Sequence, residues 1–161
     1  MNSSGTDEYI TRIVTTYSRT LYRVAYTALR CQADAQDIVQ EVFLRLMKKQ
    51  PVFSDSEHEK AWLIRVTVNL AKNRLKSHAR RTVSFDNCRE LEQPQENSDI
   101  LAAVLAMDEK YSTIIHLYYY EGYSIAEIAK ILSIPSATVG TRLYRGRHIL
   151  RTMLEGGNYD G

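Results

Sequence analysis

The chain has 161 residues, of which 44% are hydrophobic and 25% are charged, and its formal net charge is +2. This composition is typical of a globular protein. No apolar run approaches the roughly 18 residues that a membrane-spanning helix needs. The N-terminal stretch MNSSGTDEYITR has neither the basic start nor the apolar core of a secretory signal. We therefore expect a cytoplasmic protein with one or two small domains.

The motifs of common enzyme classes are missing from the sequence. It contains no GxGxxG, GxxxxGKS/T, GxSxG or HExxH pattern. The four histidines are scattered without the spacing of metal ligands. Cys31 and Cys88 form no CxxC pair and are expected as free thiols. We predict a protein that is not an enzyme and that uses no metal, no cofactor and no small-molecule substrate.

The first eighty residues predict three helices. Apolar side chains recur with a 3.6-residue period over 8–30. A second helix is expected to begin near Asp34, which would cap it, and to end before Pro51. A loop rich in turn-forming residues follows over 51–57. The pattern then predicts a third helix over 58–78.

The C-terminal part predicts two helices followed by a helix-turn-helix motif. The first two are expected over 99–107 and 109–120. Ser124 and Glu127 then form a capping box, which marks the start of a short helix. A turn over 133–135 leads into the last helix, and this short helix, turn and longer helix are the elements of the motif.

Residues 82–97 lose helical periodicity and carry acids, amides and a proline. We predict an all-α protein with two small helical domains joined by this flexible linker. The N-terminal helical bundle covers 1–81 and the C-terminal helix-turn-helix domain covers 98–161. Fully extended, a linker of this length reaches at most roughly 50–58 Å, which is about one and a half turns of duplex DNA.

Charge is distributed along the chain in blocks. Residues 58–81 carry seven Lys or Arg against one acid, residues 86–109 carry seven acids against one arginine, and residues 133–152 carry four arginines and no acid. Two basic segments that flank an acidic one indicate two contacts with a polyanion.

The last helix has the residues of a helix that reads DNA. In this motif the second helix lies in the major groove, and its N-terminal residues meet base edges. Short polar side chains approach bases closely, and arginine pairs with guanine or clamps a phosphate. The candidate DNA-contacting residues are Ser136, Ala137, Thr138, Thr141, Arg142 and Arg145. The alternative is an ordinary helical hairpin with a solvated basic face.

The third helix offers a second candidate face. Asn69 and Asn73 lie four residues apart and therefore share a helix face with their neighbours Lys72 and Lys76. Asparagines among lysines could read base edges. A solvent-exposed polar face without a binding function is an equally good interpretation of these residues.

Three segments resemble the extracytoplasmic-function (ECF) class of bacterial sigma factors in the sigma-70 family. They are DAQDIVQEVFLRLMKK (34–49), AWLIRVTVNLAKNRLKSHARR (61–81) and DEKYSTIIHLYYYEGYSIAEIAKILSIPSATVGTRLYRGR (108–147), in the order and spacing of that class. The resemblance runs from about Tyr9 to Leu154. It implies a small protein that keeps only the second and fourth conserved regions of larger sigma factors.

The resemblance implies roles for residues of the N-terminal domain. The DxxQE pattern of Asp37, Gln40 and Glu41 matches the face that docks on the clamp helices of the RNA polymerase β′ subunit. The loop and the third helix match the part that melts the −10 element and captures a flipped base, for which an aromatic ring beside polar groups is suited. The implied −10 residues are Phe53, Ser54, Asp55, Asn69, Lys72, Asn73, Lys76, Arg80 and Arg81.

The pattern PxxTVxxRLxRxR is matched from Pro135 to Arg147, and the resemblance implies that this helix reads the −35 element. Gly140 departs from the pattern, because members of the class often carry Lys or Arg there. A glycine inside a helix costs up to about 1 kcal/mol relative to alanine. It also removes one candidate DNA contact, so the promoter preference of relatives does not transfer to this chain.

The resemblance implies a protein that binds core RNA polymerase, through the β′ clamp helices and the β subunit, and directs promoter-specific transcription initiation at −10 and −35 elements. Members are usually held inactive by an anti-sigma factor, often membrane-anchored, and released in a stress response. We expect such a partner here. The main alternative is a free-standing helix-turn-helix regulator that acts as a dimer on a palindrome. An enzyme or interaction module with an incidental motif would need a catalytic constellation that the sequence lacks.

Overall fold

The computed structural model describes residues 3–81 and 98–159, and within these ranges the chain forms helices and turns without strands. The helices are α1 (Ser3–Leu29), α2 (Gln32–Lys49), α3 (Ser56–Arg81), α4 (Ser98–Ala106), α5 (Glu109–Ile115), a π-helical segment (His116–Tyr120), α6 (Ile125–Leu132) and α7 (Ser136–Tyr159). The prediction of an all-α fold is confirmed. The predicted linker 82–97 lies outside the described residues. None of the described helices combines the length and apolar character of a membrane span.

The N-terminal half packs α1, α2 and α3 around a shared apolar core. Buried side chains recur along α1 every three or four residues, because that spacing returns to the same face of a helix. They are Ile13, Tyr17, Leu21, Val24, Ala25 and Ala28. Val14, an apolar residue within the predicted 8–30 helix, is 37% exposed. The stripe otherwise follows the predicted period.

Asp34 ties α2 to α3 instead of capping α2. Its carboxylate lies 2.9 Å from Arg74 Nη1 and 3.2 Å from His78 Nε2, both on α3. The expectation that it caps the helix is wrong, because α2 begins two residues earlier and the N-cap position is occupied by Cys31. Cys31 is disulfide-bonded, so the expected free thiol is wrong there as well. Cys88 lies outside the described residues.

The predicted helix over 109–120 is present, but it changes geometry in its last turn. Over His116–Tyr120 the helix is of the π type, and the Glu121 N–H donates to the carbonyl of His116, five residues back, at 3.1 Å. Gly122 follows with a φ of 74°, a conformation that glycine adopts without steric cost. The helix therefore ends where the sequence predicted.

The predicted capping box begins α6 and organises the helix-turn-helix motif. Ser124 Oγ accepts the Glu127 N–H at 3.1 Å, while the Glu127 carboxylate accepts the Ser124 N–H at 3.0 Å. The Ser124 N–H holds the pKa of Glu127 below its ordinary value. Ser133 ends α6 in the left-handed conformation, and the Ile134 N–H donates to the Ala129 carbonyl. These contacts set the turn from which α7 departs, as predicted.

Two glycines of α7 lie in opposite environments. A Cβ atom added at Gly146 would lie 2.9 Å from Ile115 Cδ1 and 3.5 Å from Tyr111 Cβ, so α7 approaches α5 closely at this point. A Cβ atom at Gly140 would meet nothing within 4 Å. Close packing therefore requires a small residue at Gly146 but not at Gly140.

We expect Gly146→Ala to lower the free energy of unfolding by about 1–3 kcal/mol, because the buried Ile115 must shift to accommodate the methyl group. Gly140→Ala should raise it by up to about 1 kcal/mol, because alanine loses less backbone entropy in a helix. Urea unfolding followed by circular dichroism measures both effects. Changes of the same sign in the two variants would contradict the close contact at Gly146.

Candidate nucleic-acid interface

The six candidate residues at the start of α7 form one open face. Val139 and Leu143 are 0% and 2% exposed and bury the other side of the helix. Ser136 is exposed at the first position of α7. The remaining five line a cleft of about 270 Å³, namely Ala137, Thr138, Thr141, Arg142 and Arg145. The fold thus gathers the residues that the sequence selected for the −35 element.

The charge of this face is not neutralised by the described part of the chain. Arg142 and Arg145 make no ion pair with any described residue, and the first turn of α7 carries no acid. A helix N-terminus with orphan N–H groups also favours an anion. The face is therefore suited to the phosphates and base edges of DNA.

Arg147, another arginine of the family pattern, is exposed but makes contacts with aromatic rings of the same chain. Its guanidinium lies 5.5 Å from the ring centroid of Tyr118 and 5.6 Å from that of Tyr119. Cation–π contacts of this kind tie α7 to the π-helical segment. This role was not predictable from the sequence, because the tyrosines are far from Arg147 in the chain.

The candidate −10 residues of α3 lie along one side of that helix. Asn69, Asn73 and Lys76 are exposed, and Lys72 is half-buried. Their spacing of three and four residues places them on a common face. The side chains of Arg80 and Arg81 lie outside the described part of the structure. The described members form a polar and basic strip.

Arg74 does not belong to this strip, although it is part of the same basic block. It lies 2.9 Å from Asp34 and 3.8 Å from Asp37 on α2. Its charge is therefore directed to carboxylates within the protein. In the sequence Arg74 is one of the seven basic residues of the block 58–81 that indicated a contact with a polyanion, but this tertiary contact pairs it with acids of α2.

The loop before α3 is held by short-range contacts. The Ser54 N–H donates to His58 Nδ1 at 3.1 Å, and Asp55 Oδ1 accepts the His58 N–H at 2.8 Å. The ring of Phe53 packs edge-to-face on His58 and on Trp62, with centroid distances of 5.2 and 5.8 Å. Phe53, Ser54 and Asp55 are adjacent, as expected, but two further aromatic residues complete the cluster. Sequence reasoning missed His58, whose i, i+4 spacing from Ser54 was its only signal.

The candidate polymerase-binding residues lie on the exposed side of α2. Asp37, Gln40 and Glu41 line a cleft of about 450 Å³ between α2 and α3. Asn73 and Arg74 line the same cleft from α3. The DxxQE face and one candidate −10 residue are therefore neighbours, which their separation in the sequence did not reveal.

The two halves of the described chain pack against each other. Thr27 of α1 receives a hydrogen bond from Ser112 Oγ at 3.5 Å, and its own hydroxyl lies 3.5 Å from His116 Nδ1. Lys60 Nζ of α3 lies 3.5 Å from Glu121 Oε2 and 5.6 Å from the ring centroid of Tyr123. These contacts join α1 and α3 to α5 and to the segment between α5 and α6.

The contact between the halves contains incompletely paired polar atoms. His116 Nε2 lies 3.4 Å from Glu121 Oε1 but makes no aligned hydrogen bond with any described residue. Tyr123 Oη is buried and has no hydrogen-bond partner among the described residues. Burial, followed by nearby carboxylates including Glu57, raises the pKa of this hydroxyl well above its usual range. An unpaired buried polar group costs roughly 1–3 kcal/mol, so the interface is held less firmly than a continuous core.

A helix-turn-helix motif with an open basic face, joined to a second helical unit with its own basic helix, is the architecture of a two-domain DNA-binding protein. Comparison with known protein families agrees with this two-domain architecture. Residues 13–81 match the Sigma-70 region 2 model, and residues 98–150 match the Sigma-70 region 4 model.

Individual relatives show the same class over nearly the whole chain. The chain is 29% identical to the ECF RNA polymerase sigma factor SigW of Bacillus subtilis (strain 168), covering 93% of this chain and 91% of that protein. It is 30% identical to the RNA polymerase sigma factor SigV of the same organism, over 88% of each. The sigma factor RpoE, solved with the anti-sigma factor NepR from Bartonella quintana, has a TM-score of 0.76 at 20% identity, covering 90% of this chain and 96% of that chain. The chain belongs to the ECF class of the sigma-70 family.

Proposed function

We propose that this protein binds core RNA polymerase and directs promoter-specific initiation by recognising a −10 and a −35 element. The observation that carries the proposal is the pair of separate basic faces, one on α7 and one on α3, each assembled from residues that the family pattern selects. Asp37, Gln40 and Glu41 would dock on the β′ clamp helices, with a further contact to the β subunit. In this proposal the chain performs no catalysis itself.

The packed arrangement of the two halves must open for this function. The −10 and −35 elements are centred roughly 25 base pairs apart, which is about 85 Å at about 3.4 Å per base pair. A compact chain of this length has a radius of gyration of about 15 Å, and hence a diameter of about 40 Å. One packed molecule cannot reach both elements, so we infer that the contacts of Lys60 and Thr27 with the C-terminal half are released on the promoter.

The pH dependence of Glu121 gives a test of the packed state. The neighbouring His116, more than the opposing effect of burial, holds the pKa of Glu121 below its ordinary value of 4.5. A lowered folded-state pKa contributes stability above the unfolded value, and this contribution is lost as the pH falls through the folded value. We expect the wild type to be more stable than Glu121→Gln at pH 7 and the two unfolding free energies to converge below about pH 4.5.

Guanidinium unfolding of both proteins between pH 7 and pH 3 measures this convergence. Glu155→Gln, a change at an exposed glutamate of α7, is the control and should follow the wild type throughout. A constant difference between wild type and Glu121→Gln across the range would contradict the assigned role of this carboxylate.

An anti-sigma partner is part of the proposal. The similar sigma factor RpoE was solved in a complex with the anti-sigma factor NepR. We infer that this chain acts in the cytoplasm and that an anti-sigma factor holds it inactive. If that anti-sigma factor is anchored in the membrane, the inactive complex lies at the membrane. Co-purification from cells with the affinity-tagged protein, compared before and after stress, tests for the partner.

A transcription assay with purified components tests the main proposal. Core polymerase alone should give no specific transcript, and core polymerase with this protein should start at defined promoters. The rival regulator would bind DNA tightly by itself as a dimer on a palindrome. That behaviour without promoter-specific transcripts would overturn the proposal.

A further inference from the structure

Glu59 is a buried charged residue at the joint between the loop and α3. It is 5% exposed and lies in the first turn of α3. Its Oε2 accepts from Tyr9 Oη at 3.1 Å and from Arg12 Nη2 at 3.3 Å, and its Oε1 accepts from Tyr17 Oη at 3.2 Å and from Arg12 Nη1 at 3.4 Å. A buried carboxylate is tolerated only when such partners replace its lost hydration.

All three partners of Glu59 lie on α1, between 42 and 50 residues away in the chain. The network therefore joins the first turn of α3 to a different helix. Burial, and after it the charge of Glu59, raises the pKa of Tyr9 and of Tyr17. Both hydroxyls thus remain protonated donors at neutral pH, and the network is complete under ordinary conditions.

The polar contacts of the loop itself are local. Ser54 and Asp55 bond to His58, and the Glu59 N–H donates to the Asp55 carbonyl at 3.1 Å. These bonds attach the loop to the first turn of α3, and the Phe53 ring rests on the same turn. The position of the loop relative to the helical bundle therefore follows the position of that turn.

Lys60, the next residue, anchors the same turn to the other half of the protein through Glu121. That ion pair is lost when the two halves separate on a promoter. Glu59 then remains as the polar anchor of the turn, because its partners on α1 belong to the same domain.

We propose that Glu59 is a positioning residue for −10 recognition, since it anchors the first turn of α3 to α1 and thereby holds Phe53, Ser54 and Asp55 where an extruded base reaches them. This inference rests on the proposed function. Glu59 does not touch DNA itself, because its carboxylate is buried under α1.

The test uses holoenzyme assembled from core polymerase and the full chain. The probe is a promoter recovered from a random library by transcription with wild-type holoenzyme, prepared with its −10 element already single-stranded. We expect Glu59→Gln to weaken binding of this probe about ten-fold, because the amide N–H₂ faces donors and leaves buried groups unpaired. Glu57→Gln removes the same charge from an exposed position in the same turn and should bind like the wild type.

A double-mutant cycle with Phe53→Ala distinguishes a positioning role of Glu59 from a general role in folding. If Glu59 acts through the loop, Glu59→Gln should have almost no further effect once Phe53 is removed, whereas a general loss of folded protein would multiply the two effects. Tyr17→Phe deletes one hydrogen-bond donor to Glu59 and adds none, so it should weaken probe binding less than Glu59→Gln does. This variant tests the inference if Glu59→Gln fails to fold. Wild-type-like binding by Glu59→Gln, or independent effects in the cycle, would overturn the inference. A wild-type protein without promoter-specific transcripts would instead overturn the proposed function.

Discussion

Replacing Arg142 by alanine is expected to reduce transcription from −35-dependent promoters by about ten-fold or more, since one arginine–base contact contributes about 1–3 kcal/mol of discrimination. Arg142 is half-buried beside Thr138 and Thr141 in the cleft of α7. Arg142→Lys should recover little of the activity, because lysine cannot make a planar bidentate contact. Transcription from a library with a randomised −35 element shows the loss, together with relaxed preference at one position.

Arg151→Ala is the matched control for this prediction. Arg151 is an exposed arginine on the same helix, two turns beyond the cleft. Its removal subtracts the same charge but should leave the −35 preference unchanged. The affinity of Arg142→Ala for core polymerase should equal that of the wild type, because its cleft lies outside the DxxQE face. Unaltered promoter choice by Arg142→Ala would remove it from the DNA interface.

Replacing Asp37 and Gln40 together by alanine should weaken binding to core polymerase by about ten-fold or more, as expected for the centre of a protein interface. Both side chains are exposed, and the contact of Asp37 with Arg74 is long at 3.8 Å. Exposed pairs contribute little to folding, so the free energy of unfolding should stay within about 0.5 kcal/mol of the wild type. Titration of labelled protein with core polymerase measures the affinity.

The control for this variant replaces an aspartate and a glutamine elsewhere. Asp7 of α1 and Gln32 at the start of α2 are exposed and lie outside the cleft that holds the DxxQE face. Their double replacement by alanine should leave the polymerase affinity unchanged. Equal affinities for the two double variants would show that the DxxQE face does not contribute to docking.

Features that depend on neighbouring residues were predictable from the sequence. The capping box of Ser124 and Glu127, the glycine at 122 and the apolar period of α1 each follow from helix geometry. That geometry fixes the distance between residues three or four positions apart. The open face of α7 was predictable for the same reason, because Val139 and Leu143 define the side that must be buried.

Features that depend on where two helices cross were not predictable. Glu59 entered the sequence analysis only as the single acid in a basic block, yet it is the buried anchor between α1 and α3. Asp34 was assigned to a helix end, and its partners are 40 and 44 residues away. The same spacing rules apply to every acid on a helix, so the sequence could not show which one would be paired.

The sequence by itself determined that the chain is helical, that its last helix pair forms a helix-turn-helix motif, and that it belongs among the sigma factors. These properties depend on the spacing of nearby residues and on short motifs, which the sequence shows directly. The boundaries of the two domains and the roles of the individual site residues stay predictions. Only the tertiary structure decided which arginine side chains are paired within the chain and which are open to a DNA partner. Helix packing places Arg74 against carboxylates of α2 and Arg147 against tyrosine rings of the π-helical segment, while Arg142 and Arg145 have no ion pair among the described residues. The physical reason is that an ion pair needs two groups within about 4 Å, and that distance is set by helix packing rather than by sequence separation.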